Sequence, residues 1–344
     1  MRGIYTAAYL SCVAEGFSRK RNTSSLDIGA AFDLIVGTST GAIIGCALAT
    51  DIPPSRIVRL YREHGRQIFP RKLPERFGWY LYQDLKGRAA ALAAGETALR
   101  AALSECFGKT TLKLLYSGRK IALAIPAVDL AQHRSWVFKT PHHPNTNHRD
   151  DDYTLVDVCM ATTAAPLFRS LATIPTPTAL AEERVFADGG LWANNPVLVG
   201  MIEALELAQP SQSIEIFCLG TCPRPAGEDT STLTINRGLK EWGFGGEAAK
   251  LSIDSQEFAY DHMARMLCNH VNRPCRVVRF PRQSVPAALM KYLDLDDTRP
   301  AAADALINQA RSDADMTNSR CGDPMDPEGQ LVNRLFQEMP ARPM

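Results

Sequence analysis

Two short segments carry side chains able to do covalent chemistry. The first is Gly37-Thr38-Ser39-Thr40-Gly41. It follows the apolar run Phe32-Asp33-Leu34-Ile35-Val36 and precedes Ile43, Ile44, Ala47 and Leu48 at helical spacing. That context describes a sharp strand-to-helix turn that lifts a serine hydroxyl to the mouth of a sheet. Small flanking residues let the backbone pass close to its neighbours. The helix start supplies free N–H groups and partial positive charge to a developing oxyanion. The same residues also suit a plain αβ turn with Ser or Thr as an N-cap. A nucleophilic serine needs a base. The second segment, Asp188-Gly189-Gly190, follows Arg184 to Ala187 and offers one. Glycines after an aspartate let the chain turn tightly and leave the carboxylate facing a cleft. A carboxylate with a pKa near 4 is a weak base, and partial burial raises it toward a useful value. An ordinary Asp-Gly-Gly turn is the competing reading.

The histidines are His64, His133, His142, His143, His148, His262 and His270. None lies in a glycine-flanked strand-end loop. His142, His143 and His148 fall in a Pro/Asn loop without metal-ligand spacing, which reads as a solvated loop. An ordinary α/β-hydrolase triad completed by His262 or His270 stays open as an alternative.

These groups need a scaffold, and 344 residues suffice for one large α/β domain, or a core with a smaller helical piece. Hydrophobic residues at 45% and charged residues at 22% describe an ordinary globular chain. A net charge of +1 gives no global attraction to nucleic acid. The 9 cysteines are scattered, without metal-like pairs, and suit reduced thiols in a cytoplasmic protein. No apolar run approaches the roughly 20 residues that span a bilayer, and the first residues lack a signal-peptide layout. Cytoplasmic placement with transient, peripheral membrane contact is the expectation.

Helices are predicted over 4–16, from Thr40 toward Pro53-Pro54, over 55–69, 89–107 and 154–165, and from Pro196. Residues 19–25 and 141–152 read as polar loops. Strands are predicted at 32–36, 120–128, 135–139, 184–187 and 214–219, with mostly helix after 225. Alternating strands and helices predict a largely parallel sheet covered on both faces. Phe69 to Tyr80 interleaves aromatic and basic residues and suits either a lipid interface or a partly buried loop with a basic rim.

Taken together, four segments resemble the patatin-like phospholipase family. They are Arg2-Gly3 with the helix Ile4 to Leu10, Phe32 to Gly41, Ala161-Thr162-Thr163-Ala164-Ala165-Pro166, and Phe186 to Pro196. The resemblance implies a three-layer α/β fold. Residues 1–220 would be the catalytic core and 221–344 a mostly helical part packed on it. It implies a Ser39–Asp188 dyad without histidine, metal or cofactor, hydrolysing glycerophospholipid esters through an acyl-enzyme. Arg2, Gly3 and Thr40 would line the oxyanion side, with Gly37, Gly41, Gly189, Gly190 and Asn195 shaping the turns. The family's glycine run and first strand belong before Met1-Arg2-Gly3. The expectation is therefore a start further upstream or an impaired, binding or regulatory product. Glu247 to Asn269 and Leu293 to Asp297 are similar to bacterial antiphage effectors switched on by cyclic nucleotides. A cyclic nucleotide is accordingly an expected activator, beside a phospholipid membrane surface.

Overall fold

From Gly3 to Ala14 the chain carries no charge. A helix apolar on every side must be covered on every side. It forms α1 (Gly3–Lys20), buried along most of its length. The computed structural model describes residues 2–72, 79–176, 182–222, 234–238, 242, 246–282, 285–294 and 296–342. After α1 come β1 (Leu34–Val36), α2 (Thr40–Ala49), α3 (Pro54–Ile68), α4 (Trp79–Phe107) and α5 (Leu112–Arg119). Next are β2 (Ala122–Asp129), β3 (Arg134–Lys139), α6 (Leu155–Thr162), β4 (Ala172–Pro175) and β5 (Glu183–Asp188). The short α7 (Gly190–Ala193), α8 (Val197–Leu207) and β6 (Ile214–Leu219) follow. Last are α9 (Gly246–Cys268), β7 (Cys275–Phe280), α10 (Pro300–Cys321) and α11 (Pro327–Glu338).

The main sheet runs β1-β2-β5-β4, with β3 also on β2, while β6 and β7 pair separately. Strand β2 is the hub. Its residues Ala122 to Ala127 are all buried. It pairs parallel with β1, Val36 opposite Ala124, and antiparallel with β5, Asp188 opposite Ala127. The ends of β1 and β5 therefore arrive three residues apart along β2. That register, more than any local signal, brings the serine and aspartate turns together.

The α/β architecture is as expected, but the strand directions are not. β2–β3, β2–β5 and β4–β5 are antiparallel, and only β1–β2 and β6–β7 are parallel. Alternation was misleading because β2 and β3 join by a tight turn, which permits only the antiparallel arrangement. β1 is half-buried, and β2 is its one strand partner among the described residues. The segment after 225 contributes β7, which pairs in parallel with β6 over six residues, Ile214 to Leu219. It also contributes α10, which covers α1 through Tyr5 Oη to Asp313 Oδ2 at 2.5 Å and Tyr9 Oη with Thr317 Oγ1 at 2.7 Å. Phe17 stacks on Phe336 of α11 at 5.1 Å between ring centroids.

The loop of 141–152 is less solvated than its composition suggested. His142 is buried, with Nδ1 on Thr140 Oγ1 at 2.8 Å and Nε2 on Glu203 Oε2 at 3.3 Å. Glu203 is also paired with Lys139. These bonds satisfy the imidazole inside the fold, so it is a structural group. His148 remains exposed and pairs with Asp151. Within the Phe69 to Tyr80 segment, residues 73–78 lie outside the described residues.

Candidate active site

β1 ends at Val36, and Gly37 to Ser39 turn the chain into α2. Ser39 has φ 54° and ψ −124°, a backbone state that L-residues adopt only when their surroundings over-determine it. Three contacts hold it. Thr162 Oγ1 accepts from Ser39 N at 2.9 Å and donates to Pro126 O at 2.6 Å. Thr38 Oγ1 donates to Ala193 O at 2.7 Å. Ser39 O accepts from Ala42 N at 2.9 Å as α2 begins. A Cβ on Gly37 would sit 2.4 Å from Gly41 O, so only glycine fits there. Gly41 differs, because a Cβ there meets nothing within 4 Å. Of the two motif glycines, only Gly37 is sterically required.

Asp188 ends β5 and is buried, with 6% of its surface exposed. Its Oδ2 accepts from Ser39 Oγ at 2.7 Å and its Oδ1 from Gly190 N at 2.6 Å. Burial pushes its carboxyl up to about 6, against the lowering pull of Ser39, Gly190 and Arg169. A carboxylate of that basicity is ionised at neutral pH yet able to take a proton from a hydroxyl. Gly189 is required by packing, since a Cβ would lie 2.2 Å from Pro126 O. α7 is fastened beyond it. Trp192 Nε1 donates to Ala127 O at 2.9 Å, and Asn195 Nδ2 donates to Glu257 O at 3.1 Å.

Gly3 lies against the start of α2, where a Cβ would be 2.8 Å from Thr40 Cβ. Thr40 holds the first position of α2, whose opening N–H groups have no partner within the helix. Arg2 starts α1, its carbonyl taking Tyr5 N at 3.0 Å, and its charge acts on Glu257 and Cys222. His262 and His270 are both exposed, and the hydrogen bonds of Ser39 and Asp188 involve no histidine.

The patatin-like phospholipase family model matches residues 1–201. The chain belongs to that family. This patatin-like phospholipase is a lipid-ester hydrolase with the family's α/β fold. It is 35% identical over 268 residues to a cGAMP-activated phospholipase of Pseudomonas aeruginosa, covering 77% of this chain and 71% of that one. A cGAMP-activated phospholipase of Escherichia coli is 28% identical over 329 residues, covering 92% and 83%. One of Vibrio cholerae is 28% identical over 251 residues, covering 71% and 68%. No helix among the described residues of the phospholipase is long and apolar enough to cross a membrane.

Sequence reading missed two residues at this site. Thr162 fell inside a recognised segment, but its bridging role between Ser39 and β2 depends on which strand lies beneath it. Arg169, three residues beyond Pro166, carried no local signal at all.

Proposed function

We propose that Ser39 and Asp188 form a catalytic dyad that cleaves the carboxylic esters of phospholipids, in the manner of a phospholipase A. The 2.7 Å bond between Ser39 Oγ and the buried Asp188 carboxylate carries the reading. Asp188 Oδ2 takes the Ser39 proton as Oγ bonds to the ester carbonyl carbon. The carbonyl oxygen becomes an oxyanion facing the start of α2 beside Thr40 and Gly3, where helix N–H groups favour negative charge. Collapse breaks the ester bond, and the leaving lysolipid oxygen takes the proton from Asp188. Asp188 then removes a proton from water as the water oxygen attacks the acyl carbon; the acyl–Oγ bond breaks, Asp188 returns the proton to Ser39 Oγ, and the fatty acid leaves. Residues 1–220 carry this chemistry in our reading, with 221–344 as the part packed on it.

The names of the bacterial relatives support a further step: a cyclic nucleotide activates this phospholipase at a membrane surface, as an antiphage effector. Phospholipid vesicles incubated with purified protein, with and without cGAMP, test both steps. Fatty acid release that rises with cGAMP and vanishes in Ser39→Ala and Asp188→Asn is expected. Turnover abolished in a folded His262→Ala or His270→Ala variant would reject the dyad. A fluorophosphonate probe that fails to label Ser39 would reject the nucleophile.

A further inference from the structure

Arg169 is a buried cation that the dyad chemistry does not use. Only 7% of its surface is exposed. Its hydrogen bonds reach two backbone carbonyls, Ile68 O at 3.4 Å and Gly95 O at 3.3 Å, where α3 and α4 cross. Its Nε is buried without a partner, and no carboxylate among the described residues forms an ion pair with it. Burying an unpaired charge is costly, so the position calls for a reason.

The chain path supplies one. The strap from Thr162 to Arg169 holds both members of the dyad. Thr162 Oγ1 takes Ser39 N, Ala164 O takes Asp188 N at 3.0 Å, and the next carbonyl, Ala165 O, takes Arg169 N at 2.9 Å. Arg169 is thus seated one turn from the Asp188 backbone, on the α3–α4 side. We propose that Arg169 is a positioning residue that keeps Asp188 ionised, acting through its buried positive charge. This rests on Asp188 being the base.

The surroundings fit that role. Asp188 faces Ser39, Gly190 N and the Arg169 charge. Arg169 in turn faces Glu96 of α4, Tyr61 of α3 and Asp188. Tyr61 Oη is itself buried and unpartnered. Burial holds that phenol far above its ordinary range, so it stays neutral and does not compete as an anion. A charge in the interior is weakly screened, and an opposite charge favours the ionised form of a carboxyl.

The test is the pH profile of kcat/KM on a soluble monomeric ester. Arg169→Gln keeps amide donors for Ile68 O and Gly95 O and removes the charge. Its acid limb is expected to move about one pH unit upward, with kcat/KM at alkaline pH within about threefold of native. Arg169→Lys, which retains a cation, keeps the native limb. A pH-independent loss in Arg169→Gln with an unmoved limb would make Arg169 a purely structural clamp and overturn the proposal. Should Arg169→Gln fail to fold, Glu96→Gln removes the carboxylate facing Arg169 and is expected to move the limb downward. An unmoved limb there overturns the proposal as well. Asp188→Asn run in parallel separates the two readings: native turnover in that variant sinks the dyad itself.

Discussion

Thr162→Val tests whether the strap under the serine turn controls catalysis. The Thr162 side chain is fully buried and makes two short bonds, to Ser39 N at 2.9 Å and Pro126 O at 2.6 Å. Valine preserves its shape and removes both. Each polar group left without a partner costs about 1–3 kcal/mol, so the pair together costs about 2–6 kcal/mol. Part appears as lost stability. The rest appears at Ser39, whose φ of 54° relaxes once its amide is released. Each 1.4 kcal/mol reaching the barrier lowers the rate about tenfold. The expected outcome is a kcat/KM for a soluble monomeric ester down roughly 10- to 100-fold, slower fluorophosphonate labelling, and a melting temperature lower by a few degrees. Thr162→Ser keeps the hydroxyl and recovers both activity and labelling. A Thr162→Val enzyme with native turnover and native melting would refute the argument that this hydroxyl holds the nucleophile in place.

Other consequences follow from the same geometry. With Asp188 titrating at about 6, kcat/KM falls as pH drops through that value, and a flat profile down to pH 4 or so would contradict its role as base. The stability effect has the opposite sense. The folded carboxyl binds its proton more tightly than the unfolded one, so this contribution is fully present below the unfolded value and is lost as pH rises through about 6. Asp188→Asn should therefore be inactive yet more stable than native at pH 8 or so, by up to about 3 kcal/mol, the advantage vanishing near pH 4 in thermal unfolding scans. Gly37→Ala should abolish probe labelling and lower stability, whereas Gly41→Ala should fold normally, and equal melting of the two variants would contradict the steric contrast. His142→Ala should lose about 1–3 kcal/mol of stability by removing the imidazole bonds to Thr140 and Glu203, while keeping kcat/KM for the monomeric ester.

Ser39 and Asp188 were legible in the sequence because each sits in a turn whose requirements are local. A strand ending in Gly37, a helix opening at Thr40 and paired glycines after Asp188 are constraints between adjacent residues. The family resemblance rested on the same short segments, and the matched region, residues 1–201, agrees with it. Strand direction was not legible, because a short apolar run carries no mark of which way its partner runs. The burial of His142 was hidden for a related reason. Glu203, 61 residues away, supplies the bond that makes an imidazole affordable inside. Arg169 and Thr162 matter only through what lies across from them. β2 must pair with β1 and β5 in one particular register before Thr162 can bridge Ser39 to Pro126, or before a cation three residues past Pro166 can stand behind Asp188. Turn chemistry is written in neighbouring residues, whereas the field around a buried carboxylate is assembled from chain segments more than a hundred residues apart.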